Sequence, residues 1–90
     1  MFGRDTKLLI AMIHITITDT EILAAENGKL LGKIEFMLSD NKMSILHTYA
    51  YENGRGIGTL LMQNAVEWAK EHGYMIIPVC SFAQKYLSND

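Results

Sequence analysis

The chain has 90 residues, enough for one small core but too few for a nucleotide-binding domain joined to a substrate domain, so a complete Rossmann or kinase architecture is excluded. Hydrophobic residues make up 49% and charged residues 20%, the balance of an ordinary folded domain rather than a disordered segment or a disulfide scaffold. Eight Lys and Arg against ten Asp and Glu leave a net charge of −2 with the basic residues scattered, which removes the main electrostatic support for nucleic-acid binding.

The apolar stretch "LLIAMI" at 8–13 is far short of the roughly 20 residues that span a bilayer. It runs into "HITITDT" without a small-residue cleavage site, so no signal peptide or membrane span is expected and the setting is read as cytoplasmic. Alternation of Ile13, Ile15 and Ile17 with His or Thr predicts a strand near 10–18. Met1 and Met12 both stand as candidate starts, residues 1–11 being a leader or extension in the second case.

Two strands are predicted at about 20–26 and 30–38, joined at Asn27-Gly28, a pair that tolerates the positive φ of a tight hairpin turn. After a break at "SDNK", 39–42, a further strand "MSILHTYAY" is expected to carry Met43, Ile45, His47, Tyr49 and Tyr51 on one face. Ile57, Leu60, Leu61, Ala65, Trp68 and Ala69 recur at helical spacing and predict an amphipathic helix over 57–71, closed by His72-Gly73. "YMIIPVC", 74–80, reads as a short buried strand with Pro78 near its end, and Phe82, Ala83 and Tyr86 suit a short terminal helix. The order is ββββαβα, one domain over 1–90, with Trp68 and the six methionines read as core.

Between strand and helix stands "ENGRGIGTLL", 52–61. A glycine turn leading into a helix N-terminus is a generic anion cradle, because the first helical turn offers unpaired N–H groups and a positive dipole end. Walker A is excluded by the lack of Gly-Lys-Ser/Thr, and GxGxxG by Thr59 and Leu61 at the positions where a further glycine is needed. No acid lies between Glu52 and Glu67, whereas Arg55 stands at the helix start and opposes the dipole by roughly 0.3–1 kcal/mol. An external phosphate would reverse that sign; the alternative is a plain tight turn with a solvated Arg55.

Taken together, "NGKLLGKIEF", "HTY" at 47–49, "GRGIGTLL" at 54–61, "EWAKEHG" at 67–73 and "IIPVCSFAQKY" at 76–86 resemble the GNAT superfamily of acyl-CoA-dependent N-acyltransferases. The closer likeness is to its branch of small single domains of roughly ninety residues. The resemblance implies an α/β (α+β) fold with a mostly antiparallel sheet, the glycine loop, one main amphipathic helix, a splayed following strand and a short C-terminal helix. It implies acetyl-CoA or coenzyme A as co-substrate, an N-acetyltransferase activity by direct attack of an unidentified amine, and no metal. A non-catalytic CoA-binding module or sensor is the alternative.

Gly56 and Gly58 match the superfamily signature Arg/Gln-x-x-Gly-x-Gly/Ala; Asn53 stands where Arg or Gln is usual, and the approach from "HTY" is about two residues shorter. By resemblance, Tyr49, Tyr51, Gly54, Arg55, Gly56, Ile57, Gly58 and Thr59 would line the CoA site, with strand N–H groups around Tyr49 to Glu52 polarising the thioester. Cys80 matches the branch's cysteine and is a candidate nucleophile or a buried core residue; the lone thiol has no disulfide partner and no zinc-type spacing around it. His47 is a candidate base or a structural histidine. Tyr86 is a candidate acid or packing, and Glu52 a turn carboxylate. His14 and His72 are accounted for by strand alternation and helix capping.

Overall fold

The computed structural model describes residues 12–88. Its elements are β1 (His14–Ile17), β2 (Glu21–Glu26), β3 (Lys29–Ser39), β4 (Lys42–Ala50), α1 (Ile57–His72), β5 (Met75–Pro78) and α2 (Ser81–Ser88). The strands form one sheet in the order β1-β2-β3-β4-β5, antiparallel through β4, with β5 parallel to β4. The ββββαβα order and the mixed α/β class are as the sequence predicts. The first strand is shorter than expected, since residues 12 and 13 are not strand; positions 10 and 11 and the proposed leader lie outside the described residues.

Local chemistry accounts for each connection. Asn27 (φ 52°) and Gly28 (φ 78°) take the two left-handed positions of a two-residue hairpin, and Asp40 (φ 56°) opens the β3–β4 turn. Between β1 and β2 the Thr18 hydroxyl accepts the N–H groups of Thr20 (3.2 Å) and Glu21 (3.0 Å), replacing a glycine device with a side chain. Helix α1 stops at Gly73 (φ 77°), with Tyr74 N–H donating to the Ala69 carbonyl at 2.8 Å and Gly73 N–H to the Lys70 carbonyl at 3.4 Å. These two bonds form the expected glycine cap.

One face of the sheet carries Ile22, Ala24, Ile34, Phe36, Met43 and Ile45, all buried against Ile57, Leu61, Met62, Ala65 and Ala69 of α1 and Ala83 of α2. Each large side chain buried there is worth on the order of 1.5–3 kcal/mol. That exceeds the charge effect of Arg55 on the dipole, so burial of Ile57 and Leu61 decides where α1 begins. Two methionines, Met43 and Met62, belong to this core, whereas Met12, Met37 and Met75 are exposed. The expectation of a methionine core therefore fails at those three; Met37 follows Phe36 in strand alternation and points to the other face, and Met75 opens the edge strand β5.

The most consequential departure is in β4. Glu35 pairs with His47 and Phe36 with Ile45, leaving Leu46 as an extra residue in a β-bulge. An inserted residue reverses which side chains face the core. Met43 and Ile45 are buried, but His47, Tyr49 and Tyr51 are exposed on the opposite face, and Thr48, paired with the buried Ile34, turns inward. The predicted single face of five residues is thus divided after Ile45. On the outer face His47, Tyr49 and Tyr51 stack in a row, with ring centroids 5.9 and 6.2 Å apart. The Lys33 ammonium lies over Tyr49, and Glu21 and then Glu35 hold it above the ordinary lysine range.

Candidate functional site

The glycine loop leaves β4 at Tyr51 and enters α1 at Ile57. Gly54 (φ 80°) and Gly56 (φ 67°) both occupy left-handed conformations, which side chains rarely adopt, so these glycines are required by the backbone path. Gly56 is the N-cap of α1 and makes no side-chain cap; its carbonyl accepts Leu60 N–H at 2.9 Å. With no acid in the first turn, the N–H groups of Ile57, Gly58 and Thr59 are left to an external acceptor.

Arg55 is neither plainly solvated nor left to an external anion. Its guanidinium binds Glu26 through Nη1–Oε1 (2.9 Å) and Nη2–Oε2 (3.3 Å) and Glu52 through Nη1–Oε1 (3.2 Å). Lys29 binds the other oxygen of Glu52 at 3.0 Å. The cation that opposes the dipole is therefore compensated within the chain, and Arg55 by itself is no pointer to an external anion. Glu52, read as a turn carboxylate, is an ion-pair partner. Arg55 holds Glu26 below its ordinary carboxylate value, Lys29 and then Arg55 do the same for Glu52, and Glu26 and then Glu52 raise Arg55. Because the carboxylates are depressed, the ring is intact at and above the ordinary carboxylate range and opens only as pH falls through their lowered values.

Beyond the loop, β5 pairs with β4 only from Lys42↔Met75 to Ile45↔Pro78. The Ile45 carbonyl then accepts both Val79 N–H and Cys80 N–H, each at 3.0 Å, and the chain turns into α2. The second half of β4 loses its neighbour, which is the splay the resemblance implies. Tyr51 N–H donates to the Leu31 carbonyl at 2.8 Å, so it is committed to β3 and cannot serve a ligand. Strand alternation then directs the polar groups of Thr48 and Ala50 toward the open side. The expectation that placed such donors from Tyr49 to Glu52 shifts accordingly, and the Tyr49 and Tyr51 side chains lie on the outer face.

Cys80 sits at this parting. Its carbonyl accepts Gln84 N–H at 3.1 Å, its Sγ accepts Ala83 N–H at 3.4 Å, and Thr48 Oγ1 lies 3.4 Å from the same sulfur. The half-buried Cys80 side chain is therefore the N-cap of α2. His47 is on the opposite sheet face, so the two catalytic candidates are not brought together. Tyr86 is half-buried against the core. Thr48 and Glu26 were missed by sequence reasoning: Thr48 because a hidden bulge turns it inward, and Glu26 because its partner lies 29 residues away.

Between the helices, Thr59, Phe82, Lys85 and Tyr86 line a groove of about 250 Å³ beside the start of α1. Lys85 has no ion-pair partner among the described residues. Only its position one turn after Phe82 marks it in the sequence. A larger cleft of about 620 Å³ lies by Asp19, Glu35 and Leu46 and includes no residue of the glycine loop, so size alone does not locate the chemistry.

A mostly antiparallel sheet whose last parallel strand parts from its neighbour beside a glycine-loop helix defines an acetyltransferase-type fold. A family model described as GCN5-related N-acetyl-transferase matches residues 15–90, and the chain belongs to that family. Among solved structures, the PaiA N-acetyltransferase from Thermoplasma acidophilum in complex with coenzyme A matches with a TM-score of 0.55 and 22% identity, over 79% of this chain and 43% of that one. The GNAT family acetyltransferase SP0256 from Streptococcus pneumoniae TIGR4 matches with a TM-score of 0.57 and 16% identity, over 78% of this chain and 56% of that one. At these identities the likeness is one of fold, and the chain spans about half the length of the structures it matches. A comparison with curated proteins gives no match.

Proposed function

We propose that the chain is an acyl-CoA-dependent N-acyltransferase, a single domain acting in the cytoplasm, that moves an acetyl group from acetyl-CoA to an amine. The observation that carries this reading is the parting of β5 from β4 after Ile45, where the chain turns into α2, whose Phe82 lies against Gly58 in the first turn of α1. The CoA pyrophosphate would lie on the N–H groups of Ile57, Gly58 and Thr59, with Gly54, Arg55 and Gly56 forming the turn. The pantetheine arm would run along the open edge of β4, and the backbone of Thr48 and Ala50 would replace the missing strand and polarise the thioester carbonyl.

The amine attacks as the free base, the C–N bond forms, the C–S bond breaks, and CoA leaves as a thiolate that takes a proton. Cys80, which contacts Thr48 and the Ala83 N–H, would give that proton from its thiol, or would accept the acyl group by thioester exchange before the amine attacks. Cys80→Ala is expected to slow turnover by roughly 10²–10⁴-fold with CoA affinity preserved; an unchanged rate would leave Cys80 a packing residue. Lys85, beside Thr59 in the groove between the helices, is the one cation among the described residues that line it. Lys85→Ala is expected to weaken CoA binding about threefold to tenfold in calorimetry, with a smaller loss in high salt.

A second reading, a CoA-binding module without turnover, draws on one observation: His47 faces away from Cys80 and Glu52 is engaged by Lys29 and Arg55, so neither stands ready as a base. Calorimetry with CoA and acetyl-CoA tests both readings, and absence of binding at millimolar ligand rejects them together. Where binding is found, release of free thiol from acetyl-CoA across a panel of amines separates enzyme from module.

A further inference from the structure

Behind the glycine loop, the ring of four charges takes no part in the chemistry proposed above. Glu26 and Lys29 are cross-strand partners flanking the Asn27-Gly28 turn, so one rigid hairpin end presents a carboxylate and an ammonium to the same loop. Glu26 takes Arg55, Lys29 takes Glu52, and the Glu52–Arg55 contact closes the ring. The bridged positions 52 and 55 enclose Gly54, and Gly56 follows, two residues that lose more freedom on ordering than any other type. Such a loop needs an external constraint to keep one shape.

We propose that Glu26 is a positioning residue for the CoA loop: gripping Arg55 from β2, it holds the backbone so that the first-turn N–H groups of α1 face the pyrophosphate, and Arg55 is not itself a phosphate ligand. This rests on the CoA reading of the loop. The fork of Arg55 is filled by both oxygens of Glu26. Moving it to a phosphate would leave two carboxylates beside an incoming polyanion, Glu52 with Lys29 and Glu26 with no ion-pair partner among the described residues, whereas the four charges together sum to zero. Exposed ion pairs contribute little as a rule. Here, however, the contact is two-pronged and the Glu26 side chain is only 18% exposed, which together with the network favours a definite geometry.

Calorimetry with CoA on the wild type, Glu26→Gln, Arg55→Gln and the double variant tests the sign. Positioning through Arg55 predicts that each single variant binds CoA about threefold to tenfold more weakly and that the double is no weaker than the worse single, because both remove one interaction. If Arg55 is a phosphate ligand that Glu26 holds back, Glu26→Gln binds CoA more tightly, which overturns the proposal, as does wild-type affinity. Amide exchange at residues 53–58 in the ligand-free protein is an independent readout, expected to speed up in Glu26→Gln while the β3 and α1 interior amides are unchanged. A wild type that does not bind CoA rejects the functional reading; faster exchange in the variant would still establish the clamp, and unchanged exchange would reject it.

Discussion

Gly32→Ala is expected to lower the melting temperature by roughly 8–16 °C, the effect of about 2 kcal/mol in a domain of this size. A Cβ at position 32 would fall 2.5 Å from the backbone carbonyl oxygen of Tyr49 and 2.8 Å from Cγ2 of Ile57. The first contact is with the paired strand itself, which cannot swing aside as a side chain can. Gly32 pairs with Ala50 in the last rung of β3 and β4, where Ile57 opens α1 against the sheet. The added methyl must therefore push β4 or the start of α1 away, and both movements displace the glycine loop. Thermal unfolding followed by circular dichroism checks the stability, and a shift under 3 °C would show that the strands yield more easily than backbone packing allows.

Gly58→Ala should behave in the opposite way, with stability nearly unchanged and CoA affinity reduced about tenfold. Here the new Cβ would lie 2.8 Å from the Phe82 ring at Cζ, the far end of a flexible side chain that is 38% exposed. The ring can move outward, and the gain of roughly 1 kcal/mol from replacing a helical glycine by alanine offsets the lost contact. Phe82 itself lines the groove with Thr59, Lys85 and Tyr86, so displacing its ring reshapes the space where the proposed ligand would pass. Calorimetry with CoA beside a melting curve reads the two effects separately. Unchanged affinity would mean that Phe82 yields in another direction or that CoA does not enter the groove.

The elements that short-range patterns specify were legible in advance. Asn27-Gly28 made the hairpin because both residues tolerate positive φ, α1 ran between the glycine loop and Gly73 as its apolar spacing required, and Pro78 ended β5. The glycine loop was placed correctly, and Gly54 and Gly56 prove necessary by their conformation. The counter-ion of Arg55 is invisible to local charge patterning. Glu26 lies on another strand, and only strand pairing brings the hairpin end beside the loop.

By itself the sequence determined the order of elements, the turns, the amphipathic helix and the glycine loop, all of which depend on residues within a few positions of each other. Tertiary structure alone decided the side-chain arrangement of the site. One unpaired residue, Leu46, turned His47 outward and Thr48 toward Cys80. The end of β5 pairing opened one edge of β4, and the fold committed Arg55 to Glu26. A strand's facing has a period of two, so a single bulge reverses it, and the residue that carries a bulge is chosen by pairing across the sheet rather than by its neighbours in the chain.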